Sequence, residues 1–404
     1  ARHFEAAISG SIYYIINIYA FIHLVSSLSM ESGIIYFGSK KEIETSKLFN
    51  FSVLWTFLIG IILWILMTTV IDFSYQNISR SLLITSGLTF ICGNLLYNYS
   101  AGLFYAQQNF MIPNVISLFF NMLLVIILPY HAFTLFPAIT ADNYFYFYFF
   151  SFIAQGLCTV IAFKILYQKQ INLHLPSNAE FKKLFQFSLL ALSGNIVFFL
   201  LYRIDYWFVE KYCSGIELGN YIQVSKLGQL FFLLPSILAT AIFPLTASDK
   251  KESIYKGLAL VSRLFLFFYT IVCLILIFIG HWFFPFIFGD TYTSMHVAFI
   301  YLVPGILALS TLYTLTAYNG GRNKQKVNIV GCVLALIVVV AGNFLFVPQY
   351  GINAAAAVSS IGYIVFQAYL LYDFKKEYSI KLSSFFIFRL DDINTLKKIM
   401  KLGN

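Results

Sequence analysis

The residues of this chain that could do chemistry are the ionisable side chains standing inside its long apolar runs: His23, Glu31, Arg203, Asp205, Lys226 and Arg263. A charge in such a setting is costly unless protein, water or a ligand answers it, so each is a functional candidate. Lys226 stands out. It sits about 10 Å into its run at 1.5 Å per residue, with no Asp or Glu within one helical turn. An anion such as a pyrophosphate would supply its counter-charge; otherwise its four-carbon stem carries the ammonium to the headgroups. Arg203 would reinforce an anion site, because guanidinium grips phosphate oxygens in bidentate fashion, and Arg263 is a third cation of this kind. Asp205 is two residues from Arg203, hence roughly 200° away around one helix, so its partner must come from elsewhere. It either takes up a proton or forms an ion pair, for instance with Lys226. Glu31 is a candidate for proton or cation coupling, or else a polar contact between helices.

The remaining motifs point away from metal or cofactor chemistry. His23 stands alone and reads as a packing residue. The cysteines Cys92, Cys158, Cys213, Cys273 and Cys332 show no CxxC spacing and read as small core residues. Gly320-Gly321 follows no strand and lacks phosphate-loop spacing, so it reads as a turn. No metal and no cofactor are expected.

The elements that must position these groups are membrane helices. Hydrophobic residues make up 60% of the chain and charged ones 11%, against about 45–50% and about 25% in soluble domains, so a water-soluble surface is excluded. Eleven runs of about 20 residues are long enough to cross a hydrocarbon core of roughly 30 Å. They fall at 8–37, 51–71, 81–105, 112–131, 144–167, 184–209, 219–247, 257–286, 294–317, 327–346 and 352–373. The net charge of +9 does not signal nucleic acid, because the Lys and Arg residues sit in connectors rather than along one soluble face.

Assigning alternate connectors to opposite sides places 21 of the 26 Lys and Arg residues on one side, which the positive-inside bias makes cytoplasmic, with the C-terminus. Those connectors are 38–50, 168–183, 248–257 and 318–327. Their basic residues also suit anionic membrane lipid. The polar stretch 169–183 reads as a linker between an N-terminal lobe at 1–168 and a C-terminal lobe at 184–373, followed by a cytoplasmic tail at 374–404. The lobes read as copies: "SGSIYYIINIYAFIHLVSSLSMESGIIYFGSKKE" at 9–42 parallels "LGNYIQVSKLGQLFFLLPSILATAIFPLTASDKKE" at 218–252. Internal repeats are a recurring feature of transporters. The second copy has a span before it and the first has none, so six plus six spans with the first helix absent is the expected plan.

The stretch "YRIDYWFVEKYCSGIELGNYIQVSKLGQLFFLLPSILATAIFPLTAS" at 202–248 carries a specific pattern: an acidic residue late in one span, a short Gly turn, Gly-x-Tyr, a Lys-Leu pair and a late Pro. It resembles the oligosaccharide flippases of the polysaccharide-export group, in the superfamily that includes multidrug and toxic compound extrusion (MATE) proteins. The opening "ARHFEAAISGSIYY" is similar to that family's turn between its first two spans, with His3-Phe4 where Gly-Pro is usual. The resemblance implies an all-α integral membrane fold with two helical bundles around a central cavity. It also implies translocation of a polyprenyl-pyrophosphate-linked oligosaccharide from the cytoplasmic to the outer leaflet of the inner or plasma membrane, for surface polysaccharide such as O-antigen. A polysaccharide polymerase and glycosyltransferases are the implied partners.

The alternative within transport is a cation-coupled multidrug exporter of the MATE type. Carboxylates would suit cationic drugs, whereas Arg203, Lys226 and Arg263 suit a pyrophosphate. A membrane-embedded enzyme would need paired acids or metal ligands on a sizeable loop, and the outer connectors near 131–143 and 286–293 offer only Asp142 and Asp290.

Overall fold

The computed structural model describes residues 4–70, 75, 78–127, 141–168, 172–231, 235, 251–322, 324–378, 382–388 and 392. Among these the fold is helical: α1 (Ala6–Ser27), α2 (Met30–Ser39), α3 (Thr45–Ile65), α4 (Arg80–Ala106), α5 (Met111–Ile127), α6 (Ala141–Leu166), α7 (Asn178–Arg203), α8 (Asp205–Tyr212), α9 (Gly215–Leu230), α10 (Lys251–Phe288), α11 (Met295–Gly321) and α12 (Gln325–Tyr378). Seven helical stretches among the described residues are long and apolar enough to cross a membrane. Such spans must be helical, because only a helix satisfies its own backbone groups in lipid. Lys169, Pro244, Lys250, the connector at 131–140, most of the run beyond Leu230 and residues 393–404 lie outside the described residues.

The chain divides into two compact units, Ile15–Ile196, and Ala1–Tyr14 with Val197–Asn404. In the first, α4 packs against α2, α3 and α6. The closest approach of α4 and α6 is made by glycines: a Cβ on Gly93 would stand 2.5 Å from the backbone nitrogen of Ile153, and one on Gly156 2.5 Å from the Gly93 carbonyl. Small residues permit this contact, the usual device where lipid offers no hydrophobic drive to bring helices together.

The apolar run at 8–37 is broken in the structure into α1 and α2. Leu28 and Ser29 adopt left-handed φ values of 50° and 52°. The Ser27 hydroxyl donates to the Leu24 carbonyl and accepts from the Ser29 amide at 3.1 Å, diverting the helical ladder. The freed carbonyls are taken by side chains: Trp55 donates to Ser26 at 3.1 Å and Tyr99 to Ser27 at 2.9 Å. At one end of this unit Lys47 pairs with Glu180 at 3.1 Å, and Asn50 donates to the carbonyls of Asn172 and His174. The connectors at 38–50 and 168–183 therefore share an end.

In the second unit α11 packs on α10, α9 and α12, and α8 on α12. The 54 residues of α12 are two helices in antiparallel contact, turned at Gly351 with φ 59° and ψ −144°. A Cβ on Gly342 would stand 2.7 Å from Val358, and Gly362 abuts Val339, so each half presents glycine to the other's valine. These halves correspond to the runs at 327–346 and 352–373. One end of this unit is tied by Lys324 to Glu377 at 2.8 Å, by Tyr318 to the same carboxylate at 2.8 Å and by the hydroxyls of Tyr255 and Ser384 at 3.2 Å. The connectors at 248–257 and 318–327 and the start of the tail thus meet at one end as well.

Candidate functional site

A polar interior of the second unit forms where α8, α9, α12 and the first turns of α1 converge. Helix α9 starts on a capping box: the Ser214 hydroxyl accepts from the Glu217 amide at 3.3 Å while the Glu217 carboxylate accepts from the Ser214 amide at 2.9 Å. Two residues past Glu217, Gly219 lies against the Ala6 backbone, and a Cβ on Gly10 would stand 2.6 Å from the Gly219 nitrogen. The Ala6 amide donates to Thr291 Oγ1 at 3.0 Å, and Asn220 donates to the Thr291 carbonyl at 2.9 Å. These contacts set the register between α1 and α9.

Lys226 lies eleven residues beyond Gly215, or about 16 Å along the helix, deeper than the sequence run suggested. It is half-buried, and its ammonium stands 2.8 Å from the centroid of the Tyr13 ring. An aromatic face attracts a cation but carries no net charge to neutralise it. Arg203, at the end of α7, is also half-buried, with its guanidinium 5.4 Å from the Phe199 ring centroid, and acts electrostatically on Lys226. Among the described residues neither cation has a carboxylate within 4.0 Å. A cation with no carboxylate in ion-pair distance is one that an anion would relieve.

Asp205 is only 1% exposed. Its carboxylate accepts from the Tyr221 hydroxyl, from Ser359 at 3.0 Å and from the Tyr206 amide at 3.0 Å. Tyr206 in turn donates to Ser225 at 2.9 Å. Asp205 is therefore held by neutral donors, and the pairing with Lys226 that the sequence left open is not formed. Asp205 opens α8: the Ile204 amide still reaches the Leu200 carbonyl at 2.9 Å, and the ladder is diverted just beyond it, where the Asp205 side chain accepts from the Tyr206 amide.

Arg263 has a protein partner. Its guanidinium is bidentate with Asp392, Nε to Oδ2 at 2.8 Å and Nη2 to Oδ1 at 2.6 Å, and also donates to the Ser384 carbonyl. Asp392 is 129 residues away, and no local pattern announced it. Glu31, in the first turn of α2, belongs to the other unit; it is half-buried, and its Oε2 has no hydrogen-bond partner among the described residues. His23 meets the Asn98 amide at 3.3 Å, consistent with packing. No group of three or more His, Cys, Asp or Glu residues that could hold a metal occurs among the described residues. The sequence reading also missed Tyr13, Tyr221 and Ser359, although Tyr221 is the Tyr of the Gly-x-Tyr element and Asp205 is the acid of the same stretch.

No curated protein sequence matches the chain. Among solved structures it is similar to the lipid II flippase MurJ in an inward closed conformation, with a TM-score of 0.72 and 16% identity, covering 94% of this chain and 83% of that one. It is similar to the MATE transporter VcmN of Vibrio cholerae in its bent form, with a TM-score of 0.60 and 13% identity over 92% of this chain and 88% of that one. A MOP-superfamily transporter from Pyrococcus furiosus, described as having a binding pocket of reversed polarity, aligns with a TM-score of 0.56 and 15% identity over 92% of this chain and 87% of that one. At these identities the likeness establishes the fold, an all-α bundle of membrane helices of the MurJ and MATE kind. The sequence profile of the polysaccharide biosynthesis protein family matches residues 5–297, so the chain is a multi-pass membrane protein that belongs to the polysaccharide biosynthesis protein family.

Proposed function

We propose that the protein moves a polyprenyl-pyrophosphate-linked oligosaccharide from the cytoplasmic to the outer leaflet of the plasma membrane, for assembly of a surface polysaccharide. The observation that carries this reading is a pair of cations with no carboxylate in ion-pair distance among the described residues, Lys226 inside α9 and Arg203 at the end of α7, in a chain from a polysaccharide biosynthesis family. In lipid surroundings an unpaired cation is retained chiefly where an anion or water reaches it. Arg263 is left out of the binding set because Asp392 already neutralises it. Asp205 and Glu31 are the groups available for proton or cation coupling. Asp205 is buried without a cation, and Glu31 has an unpartnered oxygen.

The basic ends of the two units face the cytoplasm in this reading, and the C-terminus with them. A polymerase and glycosyltransferases acting on the same lipid-linked sugar are the partners that the chemistry calls for. The likeness in fold to MATE transporters keeps one rival, a cation-coupled drug exporter, for which the buried Asp205 carboxylate would be the natural site. Proteoliposomes separate the two. Movement of a fluorescent polyprenyl-pyrophosphate saccharide without ion-driven efflux of a lipophilic cation is the expected result, and the reverse would install the rival.

A further inference from the structure

At the end of the first unit where the connectors at 38–50 and 168–183 meet, a cavity of about 390 Å³ opens beside the start of α3. That volume is in the range of small-molecule sites. Its polar walls are Lys41, Glu44, Thr45, Ser46, Gln107 and Asn172, all in the first unit, whereas Lys226 and Arg203 belong to the second.

Several donors on these walls are unspent. Ser46 is 2% exposed and its hydroxyl has no hydrogen-bond partner among the described residues, yet it is not sealed off from the cavity that it lines. Glu44 precedes α3 in an extended conformation and its side chain does not cap the helix, so the first-turn amides lack a side-chain acceptor. Gln107 donates to Thr45 Oγ1 at 3.0 Å, which leaves the Thr45 hydroxyl hydrogen free to be given. The charges show the same selectivity. Lys40 lies 3.9 Å from Glu42 and Lys47 3.1 Å from Glu180. Among the described residues Lys41 and Glu44 have no ion-pair partner within 4.0 Å, not even each other. The two charges on the cavity wall are thus the two in this connector that no protein group answers.

A ligand that answers both carries an anion and a cation. Hydroxyls, first-turn amides and an ammonium together suit a phosphate, with its several acceptor oxygens. A phosphate alone would meet the Glu44 carboxylate with like charge, whereas an ammonium on the same ligand turns that contact into an attraction. Ser46 precedes the apolar run at Phe51 by five residues, about 7.5 Å along the helix, and the headgroup layer of a bilayer adds roughly 5–8 Å on each side of the hydrocarbon. The cavity therefore stands at headgroup depth.

We propose that this cavity binds the headgroup of a zwitterionic phospholipid with a primary ammonium, its phosphate on Lys41, Ser46 and the first-turn amides of α3 and its ammonium on Glu44. The site does not depend on what Lys226 binds.

The test is native mass spectrometry of the full chain in detergent, offered equal amounts of phosphatidylethanolamine, phosphatidylcholine and phosphatidylglycerol with identical acyl chains. Phosphatidylethanolamine should be retained about five- to tenfold over the other two, because choline has no N–H to donate to Glu44 and glycerol has no positive charge. Glu44→Gln should reduce that preference to within about twofold. Lys41→Gln and Ser46→Ala should each lower phosphatidylethanolamine retention about five- to tenfold, while Lys40→Gln, on the neighbouring residue outside the cavity wall, should leave it within about twofold. Lys41, Glu44 and Lys40 are exposed, so these variants keep the fold even if the Ser46 variant does not. Water-soluble glycerophosphoethanolamine should displace the lipid, since the headgroup alone fills the site. Phosphatidylglycerol retained as well as phosphatidylethanolamine, or a preference that survives Glu44→Gln, would overturn the zwitterion site. So would an equal loss from Lys40→Gln, which would mean a diffuse charge effect, or a lipid that the soluble headgroup cannot displace, which would mean binding by the chains elsewhere.

Discussion

Removing the Asp392 carboxylate should destabilise the second unit far more than a surface substitution would. The side chains of Arg263 and Asp392 are 9% and 6% exposed and share two charge-assisted hydrogen bonds, of 2.6 and 2.8 Å. At that burial, solvent screening does not reduce the pair to the near-zero value of exposed ones. Deleting one partner of a buried pair typically costs about 3–5 kcal/mol, because the remaining charge is left in low dielectric. Asp392→Ala would leave the guanidinium donating to the Ser384 carbonyl. The loss has a ceiling, since the segment carrying Ser384 and Phe385 can come away and admit water. Phe385 is fully buried and Phe388 stacks on Phe267 at 4.7 Å, and burying such a ring is worth about 1.5–3 kcal/mol. A loss of about 3 kcal/mol is therefore expected, measured by equilibrium unfolding in mixed micelles. The double variant Arg263→Met, Asp392→Leu should cost less than either alanine single, because it leaves no charge behind. A loss under about 1 kcal/mol for Asp392→Ala, or a double variant costing the sum of the singles, would refute the reasoning.

Gly93→Val should destabilise the first unit by about 1–3 kcal/mol through overpacking at the crossing of α4 and α6, whereas Gly194→Ala, whose Cβ would meet nothing within 4 Å, should be neutral or slightly stabilising in the same unfolding assay. With the five native cysteines replaced, single cysteines at positions 180 and 324 should resist an impermeant thiol reagent in intact cells and react after permeabilisation; labelling in intact cells would reverse the topology. Asp205→Asn should keep the fold, since its donors are neutral and the volume is unchanged, but should abolish any ion dependence of transport. An ion response equal to wild type would assign Asp205 a structural role.

Much of the fold was legible because lipid makes helix length and apolar content nearly decisive: the run at 81–105 lies within α4, and those at 51–71 and 294–317 overlap α3 and α11. Breaks inside a continuous apolar run were not. Ser27 and Ser29 interrupt α1 through hydroxyl contacts that leave no trace in hydropathy, and Ile204 interrupts the next case without any unusual residue type. The candidate site was legible as a set of charges and not as a set of partners. Lys226 stood out by the lack of nearby acids on its own helix, which is a one-dimensional fact. That Arg263 is neutralised by Asp392, and that Asp205 meets Tyr221 and Ser359, depends on contacts between residues 129, 16 and 154 positions apart.

The most direct measurement is translocation of a fluorescent polyprenyl-pyrophosphate saccharide across proteoliposome bilayers, comparing the wild type with the Lys226→Ala, Arg203→Ala double variant at matched reconstitution. Loss of two charge-assisted contacts to phosphate, each worth about 1.5–3 kcal/mol, predicts a fall in transport of at least about a hundredfold. Lys226→Arg should keep part of the activity by preserving charge and donors. Transport by the folded double variant at the wild-type rate would contradict the account.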